Sequence, residues 1–145
     1  MKKWLVILAM ISTVVLSGCS LLEEVNNSLE YANKAKDHIQ TWQDFAEGAP
    51  QLIQEAATNE ETKAELENEL NSLLSEIDTF NQTEPPAIAE DLHLQITEKN
   101  EAIKEIIENA KVNGELAVEN LQNSELFTLI NEITTLMNLV EDLGN

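Results

Sequence analysis

The chain has 145 residues, with 27 Asp and Glu against 8 basic residues, and a formal net charge of −19. All eight basic residues are lysines and they form no stripe, so counterion release from a phosphate backbone has nothing to drive it and nucleic acid is excluded as a partner. Anionic lipid headgroups would repel such a chain, and one cysteine, Cys19, cannot close an internal disulfide.

The first segment has the order of an export signal. Lys2 and Lys3 precede an apolar run from Trp4 to Leu16 that is interrupted only by Ser12 and Thr13. The run falls short of the ~20 apolar residues that span a bilayer, and charge returns at Glu23 and Glu24. It closes on Leu16-Ser17-Gly18-Cys19, which resembles a bacterial lipobox. In that family the signal peptide is cut before the cysteine, whose thiol carries a diacylglycerol and whose new amino group is often acylated. The resemblance implies a signal peptide over 1–18 and a lipid-anchored acidic domain over 19–145, held through acylated Cys19 at the outer face of the cell membrane. One acyl chain gives marginal anchoring and two or more give stable anchoring. Removing Lys2 and Lys3 leaves six lysines against 27 acidic residues, a formal charge of −21. The opening, from Leu16 through Glu23, Glu24 and Leu29 to Tyr31, also resembles short uncharacterised lipoproteins of Bacillus-type bacteria.

The rest of the chain reads as helix. A first helix is expected over about 21–47, with Val25, Leu29, Ala32, Ile39 and Ala46 on one stripe, ended by Gly48-Ala49-Pro50. A separate turn of helix, Gln51 to Ala57, follows. Thr58 and Glu61 stand at capping-box spacing and mark the start of a second helix. Leu66, Leu70, Leu73, Leu74, Ile77 and Phe80 form its apolar face, which is narrow and therefore covered on one side.

Pro85 and Pro86 open a third helix that runs to about Val112, because proline fits only a helix's first turn. Its stripe is Ile88, Leu92, Ile96, Ile103, Ile106, Ile107 and Ala110, with Asn113-Gly114 as cap or kink. Residues 115–122 either extend it or form a connector. A fourth helix runs from Asn123 or Ser124 to Leu143-Gly144, with apolar residues from Leu126 to Leu143 over a wide arc. There is no alternating strand pattern. The expected class is all-α, an antiparallel four-helix bundle, with a long helical hairpin or coiled coil as the alternative.

Candidate chemistry is sparse. Glu90 and His93 have the Glu-x-x-His spacing of a di-metal ligand pair, but Glu90 points away from the apolar stripe. His38, the other histidine, has Ala35 at the matching position. Glu90 and His93 are therefore expected on a solvated face, with no metal and no cofactor. Carboxylates lie on polar helix faces, and no nucleophile, base and orienting group recur in a known pattern.

One feature of the first helix stands apart, a second row of Tyr31, Ala35, His38, Trp42 and Phe45. This row either packs between two neighbouring helices or, with Tyr31, His38, Trp42 and Phe45 exposed, offers anchors for a partner. The functional expectation is a membrane-anchored extracytoplasmic lipoprotein, non-catalytic, acting as a binding or structural module. Its partner by sign of charge would be a cationic protein or peptide of the envelope. The alternative is an envelope enzyme or enzyme accessory using surface carboxylates.

Overall fold

In the computed structural model the described residues are 2–144, with side chains described from Val25 onward. The elements in order are α1 (Lys2–Ala56), α2 (Glu60–Asn81), a 3₁₀ turn (Ala87–Ala89), α3 (Glu90–Asn109), β1 (Lys111–Val112), β2 (Glu115–Leu116), α4 (Val118–Gln122), α5 (Leu126–Thr135) and α6 (Met137–Leu143). The class is all-α, with one small hairpin added. Among the described residues no helix is long and apolar enough to cross a membrane.

Contrary to the expected break, α1 continues through Gly48-Ala49-Pro50 and absorbs the turn assigned to 51–57. Pro50 removes one backbone donor and crowds the carbonyl of Ala46, at a cost of about 3 kcal/mol. Beyond it Ala49, Ile53 and Ala56 are buried and Leu52 is half-buried, and burying one large aliphatic side chain returns about 1.5–3 kcal/mol. The packing offsets the proline. The buried line of α1 also differs from the expected stripe. Ala32 and Ile39 are interior, but Val25 and Leu29 are 59% and 47% exposed, and the line runs along Tyr31, Ala35, His38, Trp42 and Phe45.

The cap of α2 lies one residue later than the expected box. Asn59 accepts from the backbone N–H groups of Glu61 and Thr62 at 2.9 and 3.3 Å, while the Thr58 hydroxyl donates to the Glu55 carbonyl. Asparagine satisfies the orphan donors as well as threonine does. Leu66, Leu70, Leu73, Ile77 and Phe80 are buried as expected, and Leu74 packs at the edge of the core.

Ahead of α3, Ile88 is 70% exposed and Ala89 takes the interior position. Pro85 and Pro86 hold the chain extended, and a 3₁₀ turn eclipses residues three apart, so the helical phase of α3 does not extend back to Ile88. At the other end Asn113 and Gly114 form a hairpin turn, not a helix cap. Their φ values are +56° and +88°, the positive pair that a two-residue turn between twisted strands requires. The register pairs Lys111 with Leu116 and Val112 with Glu115. Glu67 on α2 accepts from the Leu116 N–H at 2.9 Å and ties the hairpin to the helices. Residues 115–122 are thus a connector made of β2 and α4.

The expected fourth helix is two. Between α5 and α6 the Leu136 N–H bonds the Ile133 carbonyl at 3.0 Å, and the hydroxyls of Thr134 and Thr135 donate to the carbonyls of Ile130 and Glu132. Threonines that bond their own backbone tighten and bend a helix. Leu126, Ile130, Ile133, Leu136 and Val140 are buried; Leu129, Met137 and Leu143 are half-buried.

Cross-contacts give the directions of the helices. α2 returns alongside α1, with Phe80 near Tyr31, and α3 returns alongside α2, with Asn81, Asp78 and Asn71 bonded to Glu101, Lys104 and Lys111. α1 and α3 therefore run parallel, as the pairs Tyr31 with His93 and His38 with Asn100 show. α5 packs on α1 and α3, and α6 brings Gly144 back to Leu29 and Ala32.

Leu73 and Ile133 are buried at 4% and 0% exposure, whereas Leu139 is 48% exposed. Leu73→Ala and Ile133→Ala should each cost about 2–5 kcal/mol in urea unfolding, and Leu139→Ala less than about 0.5 kcal/mol.

Candidate functional site

Among the described residues the buried polar side chains are His38, at 4% exposure, and Asn100, at 0%. His38 lies on α1 between Ala35 and Ile39, and Asn100 occupies the place in α3 where the spacing of Ile96 and Ile103 calls for an apolar residue. His38 Nε2 meets Asn100 Oδ1 at 3.0 Å, Asn100 Nδ2 donates to Asn81 Oδ1 at 2.9 Å, and Asn81 Nδ2 donates to Glu101 Oε1 at 2.7 Å. The carboxylate at the exposed end sets the direction of this chain. Glu101 can only accept, so each amide turns its NH₂ toward Glu101 and its oxygen toward His38, and His38 Nε2 carries the proton.

In that tautomer the Trp42 indole N–H, 3.2 Å from Nε2, faces a proton in place of a lone pair. His38 Nδ1 is then an acceptor with no partner, and the buried Trp42 N–H gives up its acceptor so that the chain to Glu101 stays in phase. The His38 ring stacks on Phe80 with centroids 4.3 Å apart and planes at 13°. Burial holds the imidazole below its usual pKa, against the smaller opposing effect of the bond to Asn100. Trp42 lies edge-on to both His38 and Phe45.

His93 is not on the solvated face expected for it. It is half-buried against Phe80, accepts or donates at Nδ1 with the Tyr31 hydroxyl at 3.1 Å, and is also pushed down by burial. The Tyr31 phenol is pushed well up by burial. Glu90 is exposed, and no group of three or more His, Cys, Asp or Glu that could hold a metal occurs among the described residues.

The partner-surface reading of the aromatic row is corrected by this geometry. Tyr31, His38, Trp42 and Phe45 are 0–4% exposed and form the seam of α1 with α2 and α3. Aromatic rings carry the most apolar area per residue, and in a chain that is 4% aromatic the core uses them. Above this seam the α1/α2 surface is hollowed. Three adjoining depressions, of about 650, 430 and 260 Å³, share Lys34 and Thr83 at one junction and Thr41 and Glu76 at the next. Tyr31 lines the first, His38 and Phe80 the second, Phe45 and Leu73 the third.

Leu16, Ser17, Gly18 and Cys19 lie outside the residues whose side chains are described. Asn100 and Asn81 were missed by the sequence reading, although the gap between Ile96 and Ile103 was the signal for Asn100.

These features define a small acidic all-α protein whose buried polar groups join helices to one another. The chain belongs to the family described as Family of unknown function (DUF6376), whose model matches residues 31–143. It is 32% identical to the uncharacterized lipoprotein YybP of Bacillus subtilis (strain 168), over 99% of both chains. That likeness agrees with the resemblance carried by residues 16–31. No solved structure matches.

Both histidines have folded pKa values below the unfolded value of about 6.5. The unfolded chain therefore takes up protons first, so stability is full above that pH and falls as pH drops through it toward the folded values. The free energy of urea unfolding should decrease from pH 7 to pH 5, by at most about 1.4 kcal/mol per pH unit for each histidine. His38→Gln should be less stable at pH 7 and show a shallower slope; an unchanged slope would count against His38 as a titrating group.

Proposed function

We propose that this protein is a lipid-anchored module on the extracytoplasmic face of the cell membrane, held through acylated Cys19 after removal of residues 1–18, with a binding or structural role and no catalysis of its own. The observation that carries the reading is the likeness to YybP, a lipoprotein by name, over 99% of both chains, in a sequence that itself reads Leu16-Ser17-Gly18-Cys19. Electrostatics alone would keep so acidic a chain away from anionic headgroups, so the acyl chains supply the attachment.

Both histidines are engaged in packing, which favours a binding or structural role over catalysis. His38 is bonded between helices, and His93 packs against Tyr31 and Phe80. The partner of matching chemistry is a cationic protein or peptide of the envelope. Of six lysines after Cys19, Lys34, Lys63, Lys99 and Lys104 are paired with carboxylates of the same chain, which leaves a large acidic excess facing outward.

Cells fed a labelled fatty acid should incorporate it into this protein, and membranes should retain the protein through high-salt washing. Cys19→Ala should lose the label. The uncleaved apolar segment of that variant can still hold it to membranes, so the label decides and fractionation does not. An unlabelled wild-type protein, or a labelled Cys19→Ala protein, would remove the basis of the reading.

A further inference from the structure

The three hollows along α1 and α2 join end to end, from Asn27 and Glu84 at one end to Phe45 and Glu69 at the other. Their floor is aromatic and their rims are acidic. Along α1 the rim carries Glu30, Asp37 and Asp44, and along α2 it carries Glu69 and Glu76, in each case at seven-residue intervals. Among the described lining residues the cation is Lys34, which is already paired with Glu30 at 2.8 Å.

The hydroxyls along the groove add acceptors. Thr41, Thr79 and Thr83 each donate their proton to the helix backbone carbonyl four residues back, which leaves oxygen lone pairs. His38 lines the central hollow, and its Nδ1 is a buried atom without a hydrogen-bond partner. The carboxyl of Glu69 is held above the usual range by burial and then by Glu65, with no cation to bring it down.

A groove that accepts hydrogen bonds and whose described lysine is already paired calls for a donor-rich cation. The carboxylates are strung along the helices, and no group of them could chelate a metal among the described residues, so a point charge fits poorly. A second copy of this chain brings a net charge of −19 and is repelled. Seven residues of helix rise about 10.5 Å, and one turn of an extended polyproline II segment, three residues, covers about 9 Å and returns to the same face. We propose that the α1/α2 groove receives an extended peptide segment with Lys or Arg at every third residue, the cations meeting the carboxylates of the rim. The inference rests on the binding role given above and adds the site, the register and the conformation of the partner. Lysine stems can lie along the hollows while the ammonium groups reach the rims.

The test uses the acylated protein in detergent micelles and a fluorescent peptide, Lys-Gly-Gly-Lys-Gly-Gly-Lys, with anisotropy as the readout. Binding should weaken as salt rises. Asp37→Asn with Glu76→Gln should weaken it about fivefold or more, while Glu98→Gln with Glu105→Gln on α3 changes the net charge equally and should leave it within about twofold. Unchanged thermal unfolding of both variants shows that the comparison is between folded proteins. Absence of binding, equal loss in the two double variants, equal binding of the same peptide with Glu in place of Lys, or displacement by spermidine at the concentrations at which the peptide itself binds would overturn the proposal. A protein that keeps its acyl label and ignores the peptide removes the groove and leaves the anchored reading standing. One that binds the peptide at the groove without a label does the reverse.

Discussion

The hydrogen bond between His38 and Asn100 fixes how the helices sit on one another. It is buried, 3.0 Å long, and joins residues 62 apart in sequence; the contact of Tyr31 with His93 has the same offset of 62. Two polar contacts in one register hold α1 and α3 parallel with no freedom to slide by a turn. A slip would leave Asn100 and His38 buried without partners, at a cost of about 1–3 kcal/mol for each group. Apolar neighbours such as Ile96 and Ile103 would tolerate such a slip far better. The bond thus acts through specificity as much as through stability.

Because α2 lies against both α1 and α3, the same register reaches it. Asn81 receives the chain of bonds from Asn100 and passes it to Glu101, and Phe80 stacks on the His38 ring. The placement of Phe80 brings the acidic face of α2 opposite Asp37 and Asp44 across the groove. The buried polar chain and the outer groove are consequently two sides of one packing arrangement, linked through Phe80 and His38. A protein with few aromatic residues has used them twice, as core on one side and as the floor of a depression on the other.

The acidity of the chain has a structural side as well. Paired lysines on α3 reach Glu132 on α5 and Asp78 on α2, so the scarce cations are placed between helices. Lys34 and Lys63 pair with acids of their own helices, and six lysines after Cys19 are too few for 27 acids. Such a surface favours solubility and attracts cations over a distance set by the ionic strength.

Much of this was readable from the residues alone. The all-α class, the faces of α2 and the boundary near Pro85 and Pro86 follow from periodicity and backbone rules that act within a few residues. So do the sign of the surface and the resemblance of Leu16-Ser17-Gly18-Cys19 to a lipobox, which are local in the same sense. The reading failed where distant contacts outweigh local preference. Pro50 should end a helix, and does not, because Ile53 and Ala56 find a core to enter. Asn113-Gly114 suits both a helix stop and a hairpin turn, and the Glu67 carboxylate waiting for the Leu116 N–H goes with the turn. Tyr31, His38, Trp42 and Phe45 could have faced either a partner or the interior, since a helical row carries no record of its neighbours. Sequence determined that the chain is helical and what charge it shows. Tertiary packing decided which row of α1 is buried, that Asn100 completes the stripe of α3, and where the acidic rims of α1 and α2 meet, because burial depends on what arrives from elsewhere in the chain.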